Sequence, residues 1–145
     1  MKVYLDMCAL KRPFDDQSQG RIAMETQAVM RVLGAFSAGA LELCNSPALV
    51  FENQQNPNPQ RRARTATLLA SFGNPSAATD PIFERAEEVR DLGFPDLDAL
   101  HIAFAEDQEA DYFITADDEL LKRREQANLR TKIVDPIELV GELDL

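Results

Sequence analysis

Short apolar runs alternate with longer segments of helical periodicity along this chain. The first run, residues 3–5, stops at Asp6, which predicts a buried strand that carries a carboxylate at its carboxyl end. Over residues 21–37 apolar positions recur at helical spacing, and Gly39 follows as a stop signal. The pattern therefore begins with a strand that is followed by a crossover helix.

The rest of the chain repeats this alternation. Ser46-Pro47 and Asp80-Pro81 each place a capping residue before a proline, which is typical of a helix start. Further strands are predicted at 41–44, 112–114 and 133–134, and further helices from Pro47 past Glu52, over 60–72, over 80–92, from Pro95-Asp96 onwards and over 136–143. Strands that alternate with helices predict an α/β fold with a central parallel sheet, whose ligands bind at the carboxyl ends of the strands.

Acidic residues lie at these strand ends and at one helix start. Asp6 and Asp117 follow predicted strands, and Asp98 lies in the first turn of a helix whose other residues are mostly apolar. A carboxylate beside apolar sequence is costly to desolvate, and several carboxylates together repel each other unless a cation binds them. Oxygen ligands favour hard ions, so the pattern predicts a Mg²⁺ or Mn²⁺ site. Asp118 is the alternative to Asp117 at this position.

The composition fits one globular domain spanning residues 1–145. The chain has 45% hydrophobic residues and no linker, repeat or low-complexity segment. No apolar stretch is long enough to span a bilayer, and Asp6 interrupts the first one, so we expect a cytoplasmic protein without a signal peptide. In that compartment Cys8 and Cys44 are expected to be free thiols.

Taken alone, the net charge of −10 argues against nucleic-acid binding, because affinity for a phosphate backbone usually comes from lysine and arginine. The charges are distributed unevenly. Residues 80–119 hold fourteen acidic residues and two arginines, whereas residues 53–79 hold no acid and include Arg61, Arg62 and Arg64. An acidic body with one basic strip is compatible with an enzyme that binds cations at its centre and phosphates at its rim.

Four segments each combine an acidic residue with apolar or small neighbours: residues 3–6, 46–53, 98–103 and 112–117. In order and spacing they resemble the motifs of PIN-domain ribonucleases, in particular the VapC-type toxins of bacterial toxin–antitoxin pairs. The resemblance implies a three-layer α/β/α domain and divalent-metal binding by Asp6, Glu52, Asp98 and Asp117. It also implies hydrolysis of single-stranded RNA to a 3′-hydroxyl and a 5′-phosphate, a homodimer, and an antitoxin protein as partner.

The chain departs from this family after the first aspartate, where many relatives carry an asparagine and this sequence has Met7 and Cys8. Loss of an outer polar contact of this kind lowers metal affinity or activity by roughly 10–100-fold. His101 follows Asp98 by three residues and is expected to have a structural or supporting role, because metal-activated water needs no histidine base. Asp96 is expected to cap a helix.

Two other functions are compatible with the same pattern. A PIN-like module that binds RNA or protein without cleaving it is favoured by the missing polar neighbour of Asp6. A phosphoacceptor signalling domain also places acids at strand ends, but it needs paired acids after the first strand and a lysine at a later strand end. Here Met7 follows Asp6, and Lys132 precedes its strand. Metal-dependent RNA hydrolysis is therefore the leading hypothesis.

Overall fold

A computed structural model of the chain describes residues 1–126 and 128–145, with only the backbone described at residue 126. The strands are β1 (Lys2–Leu5), β2 (Glu42–Leu43), β3 (Tyr112–Ile114) and β4 (Lys132–Val134). The helices are α1 (Met7–Leu10), α2 (Gly20–Ser37), α3 (Pro47–Gln54), α4 (Pro59–Ser71), α5 (Asp80–Asp91), α6 (Asp96–Asp107), α7 (Asp118–Arg123) and α8 (Pro136–Leu143). Short 3₁₀ turns follow α1 at Arg12–Phe14 and α7 at Arg124–Gln126.

The four strands form one parallel sheet in the order β2-β1-β3-β4. In the two central strands Tyr4 pairs with Phe113 and Leu5 with Ile114, so their carboxyl ends are level. The backbone N–H of Asp6 extends this pairing by donating to the Ile114 carbonyl at 2.8 Å. Helices flank the sheet, which confirms the predicted α/β class and is consistent with a three-layer α/β/α arrangement.

The core lies where the strands are most apolar. Most β1 and β3 residues are fully or almost fully buried, and α6 contributes Ile102 and Phe104 to the same cluster. The stacked rings of Tyr4 and Phe113, with centroids 5.3 Å apart, join the two central strands. A rigid core therefore lies directly beneath the strand ends from which Asp6 and Asp117 project.

Several predicted boundaries are confirmed and two capping predictions are wrong. Ser46 caps α3 by accepting a hydrogen bond from the Leu49 N–H, as the sequence predicted. The N-cap of α5 is Thr79 and that of α6 is Pro95, so Asp80 and Asp96 are the first helical residues and not the caps. In both cases the acid occupies the first turn, where a negative charge also favours the helix dipole.

Among the described residues, none of the helices is sufficiently long and apolar to cross a membrane. Cys8 and Cys44 are both free thiols, as predicted.

Candidate metal centre

Asp6 is fixed by hydrogen bonds on both carboxylate oxygens. It caps α1, with Oδ1 accepting the Met7 N–H at 2.8 Å. Oδ2 accepts from the Thr115 hydroxyl at 3.0 Å and from the Cys8 thiol at 3.2 Å. Burial raises the pKa of Asp6, and its hydrogen bonds from Cys8 and Thr115 act in the opposite direction. The Asp6 carboxylate is therefore held in one orientation, and burial makes its ionised form energetically costly.

Cys8 and Thr115 supply polar contacts to Asp6. The sequence predicts that such a contact is missing, because no asparagine follows the first aspartate. Met7 is fully buried in the core, but the Cys8 sulfur lies between Asp6 and β3, where it accepts the Ala116 N–H at 3.3 Å. At the end of its strand, the Thr115 hydroxyl could be expected from sequence to orient Asp117, contact a phosphate or cap the following turn, whereas its contact with Asp6 and that of Cys8 have no local sequence signal. The predicted gap beside Asp6 is therefore filled by a thiol and a hydroxyl.

Asp117 is the N-cap of α7, three residues after the end of β3. Its Oδ1 accepts the Glu119 N–H at 2.9 Å, and its own N–H donates to the Thr115 hydroxyl at 3.1 Å. Asp118 is occupied elsewhere, because both its carboxylate oxygens accept hydrogen bonds from the Arg21 guanidinium, which lowers the pKa of Asp118. Of the two candidates for the fourth acid, Asp117 is therefore the one whose carboxylate forms no ion pair with an arginine among the described residues.

Asp98 lies half-buried in the first turn of α6. Burial, together with the negative charges of Asp6, Asp117 and Glu52, raises the pKa of Asp98 to about 7. The four acids predicted from the sequence therefore share one electrostatic environment. Among the described residues, no lysine or arginine forms an ion pair with Asp6, Asp98 or Asp117.

Glu52 approaches from α3 and contacts a buried histidine. Its Oε1 lies 2.9 Å from Nε2 of His101, whose Nδ1 lies 2.6 Å from the Tyr4 hydroxyl. The same hydroxyl lies 2.6 Å from Ser46 Oγ. Helical spacing predicted that His101 lies near Asp98, but its hydrogen-bond partners are Glu52 and Tyr4. No local pattern in the sequence predicts these pairings, because they join residues far apart in the chain.

The chemistry of this group suits a metal ion. Asp6, Glu52 and His101 each offer one ligand atom, and these atoms all lie within 4.8 Å of one another. Asp98 and Asp117 lie outside this compact group but add negative charge to its surroundings. The predicted set of four acids is therefore brought to one region, with two of them in the tightest cluster together with a histidine that was not expected there.

The basic strip lies on α4. Arg61 stacks over the ring of Phe14 at 5.7 Å, and Arg62 donates to the Asn56 carbonyl at 2.8 Å. Phe14 belongs to the turn that continues from α1, which Asp6 caps. Arg61 and Arg64 are both exposed. The strip is therefore joined to the Asp6 segment through one aromatic contact.

No protein-family model, curated protein or solved structure matches this chain.

Proposed function

We propose that this protein is a divalent-metal-dependent endoribonuclease, and the toxin of a toxin–antitoxin pair. The observation that carries the nuclease proposal is the gathering of four carboxylates near the carboxyl ends of the strands, where, among the described residues, none of them forms an ion pair with a lysine or arginine. In the absence of a cation this arrangement is unfavourable, as the raised pKa of Asp98 shows. Such groups are typical of functional sites rather than of structural ion pairs.

The donors fit a hard divalent ion. Asp6 and Glu52 would hold it, with Asp98 and Asp117 as further ligands or as acceptors for its waters, and oxygen ligands favour Mg²⁺ or Mn²⁺. When bound, such an ion lowers the pKa of water and offsets the negative charge of a phosphodiester. Thr115 and Cys8 keep the Asp6 carboxylate in one orientation, which avoids the cost of ordering it when the ion binds.

RNA is the proposed substrate for two reasons. The four acidic motifs resemble those of single-stranded ribonucleases, and the exposed arginines of α4 offer phosphate contacts on a body that is otherwise acidic. The alternative of a non-catalytic binding module depended on the missing polar neighbour of Asp6. Because Cys8 and Thr115 fill that position, no structural observation favours it over hydrolysis.

The direct test is cleavage of a fluorescent single-stranded RNA library with Mg²⁺ or Mn²⁺ at millimolar concentration. We expect cleavage that EDTA abolishes and that D98N lacks, with 5′-phosphate and 3′-hydroxyl products. The matched control is D96N, two residues away on the same helix, because the Asp96 side chain is 85% exposed and, among the described residues, its ion pair is a long one to Arg90, at 3.9 Å. Cleavage that survives EDTA, or that D98N and wild type share to the same extent, would refute the proposal.

A further inference from the structure

A chain of hydrogen bonds connects three elements that carry acids of the candidate site. It starts at Ser46, the N-cap of α3, passes through the Tyr4 hydroxyl on β1 and the His101 ring on α6, and returns to α3 at Glu52. Ser46, Tyr4 and His101 have no exposed surface. Water therefore does not compete for these bonds, and each polar atom depends on its neighbour in the chain.

The hydrogens of this chain have a consistent direction. Ser46 Oγ accepts the Leu49 N–H at 3.2 Å, which leaves its own hydrogen free to donate to the Tyr4 oxygen. The Tyr4 hydrogen is then free to donate to His101 Nδ1, so the ring proton is on Nε2 and is donated to Glu52 Oε1. The opposite tautomer would set the Nε2 lone pair against a carboxylate oxygen at 2.9 Å, which is repulsive.

This direction decides what His101 can do. With Nδ1 accepting from Tyr4 and Nε2 donating to Glu52, neither ring nitrogen has a lone pair free for an ion. Glu52 has one oxygen engaged by His101 and, among the described residues, its Oε2 accepts no hydrogen bond. The free oxygen is the one that can face an ion.

The chain also fixes distances between the acids. Tyr4 is two residues before Asp6 on one continuous segment, and His101 is one helical turn after Asp98 on α6. A displacement of α3 relative to β1 or α6 would therefore break a buried hydrogen bond before it moved Glu52 away from the other acids.

We propose that Ser46, Tyr4 and His101 are positioning residues that hold Glu52 in register with Asp6 and Asp98, and that His101 is a donor to Glu52 and not a ligand of the ion. The role toward an ion rests on the proposed function. The direction of the hydrogen bonds does not rest on the proposed function, because that direction follows from contacts between residues of the protein alone.

Mn²⁺ affinity, measured by calorimetry on the purified full chain, tests the role toward the ion. Y4F removes the hydroxyl that donates to His101 and leaves the four acids of the site unchanged. We expect it to weaken Mn²⁺ binding by about 10-fold. H101A is expected to weaken it by about 10–100-fold, whereas H101Q keeps a side-chain N–H for Glu52 and is expected to stay within about threefold of wild type.

The matched control is E106Q, which breaks a buried ion pair at the other end of α6. It is expected to lower stability and to leave Mn²⁺ affinity unchanged, which separates positioning from general loosening of the fold. Equal losses in H101Q and H101A with wild-type affinity in Y4F would overturn the proposal and make His101 a ligand. Weakened binding in E106Q to the same extent as in Y4F would also overturn it.

The ¹⁵N resonances of the His101 ring test the hydrogen-bond chain without metal. We expect a protonated Nε2 in the wild type and in Y4F, because Glu52 accepts that proton in both, and a shifted Nδ1 resonance in Y4F, because Nδ1 loses its hydrogen-bond donor. A wild-type ring that carries its only proton on Nδ1 would refute the proposed direction of the hydrogen bonds. If the wild type binds no Mn²⁺, the proposed function fails, and the tautomer alone then decides whether Tyr4 and His101 orient Glu52.

Discussion

Replacing Asp98 by asparagine separates the energetic cost of the site from its function. The pKa of Asp98 is raised from 3.8 to about 7. At 1.36 kcal/mol per pKa unit, this difference corresponds to at most about 4 kcal/mol of destabilisation when the group is ionised. Asp98 is partly exposed, so solvent screening reduces the expected effect to about 1–2 kcal/mol. D98N, which is never ionised, is expected to be more stable than the wild type by this amount at pH 8 without metal.

The pH dependence has a defined sign. The folded protein binds the Asp98 proton more tightly than the unfolded chain does, so this group lowers stability as pH rises from about 4 to about 7. The advantage of D98N should therefore be complete above pH 7 and absent near pH 4. Urea unfolding of both proteins in EDTA at pH 4 and pH 8 measures the difference directly.

Metal should reverse the order of stability. An ion at 100 times its dissociation constant adds about 2.7 kcal/mol to the protein that binds it. We expect Mn²⁺ to stabilise the wild type and D96N but not D98N, which would also have lost RNA cleavage. If D98N is less stable than the wild type by about 1–3 kcal/mol at pH 8 and still cleaves RNA, then Asp98 is an ordinary helix-end carboxylate and our assignment is wrong.

Three further predictions test the surroundings of the site. E106Q should lower the free energy of unfolding by about 1–3 kcal/mol at pH 7, because the Arg85 guanidinium lowers the pKa of Glu106. This loss of stability should shrink as pH falls through the lowered pKa of Glu106, which urea unfolding at pH 7 and pH 3 would show. C8A should weaken Mn²⁺ binding by about 10-fold by calorimetry, and C8S should restore most of it with a hydroxyl donor. G93A should lower the free energy of unfolding in urea by about 1–2 kcal/mol, because Gly93 has a φ of +109° and an added Cβ would lie 2.9 Å from Arg123 Nη1.

The layout of strands and long helices could be predicted because it depends on local pattern. Residues 112–114 were predicted as a strand and form β3, and residues 136–143 were predicted as a helix and form α8. The same reasoning placed Asp6 and Asp117 at strand ends, since a strand and the residue after it are neighbours in sequence. Periodicity was sufficient wherever an element buries one side against the sheet.

Short elements and buried charges were not predictable in this way. Helix α1 has only four residues, too few to show a period, and it forms where Asp6 caps it. Glu25 lies on the buried face of α2 with Val29 and Val32, although the charge of Glu25 predicts exposure. Its carboxylate lies 3.2 Å from Arg21 Nε, and burial of a charge depends on such a partner.

The partners of a side chain across the fold were the least predictable. Spacing along α6 correctly suggested that His101 and Asp98 share a helix face, but the choice of Glu52 and Tyr4 as hydrogen-bond partners depends on how α3 and β1 pack against α6. Tyr4 and His101 are separated by 97 residues. No local pattern specifies such a contact, because it results from the packing of the whole domain.

The parallel pairing of β1 with β3 has a consequence for the order of folding. Thr115 and Asp6, which hydrogen-bond at the centre of the site, are separated by 109 residues in the chain. Contacts this distant in sequence carry a large loop-closure cost and are associated with slow folding. In stopped-flow refolding, we therefore expect recovery of Mn²⁺ binding to lag behind recovery of helical circular dichroism. A partly folded chain would then be helical but would not yet have brought Asp6 and Thr115 together at the candidate site.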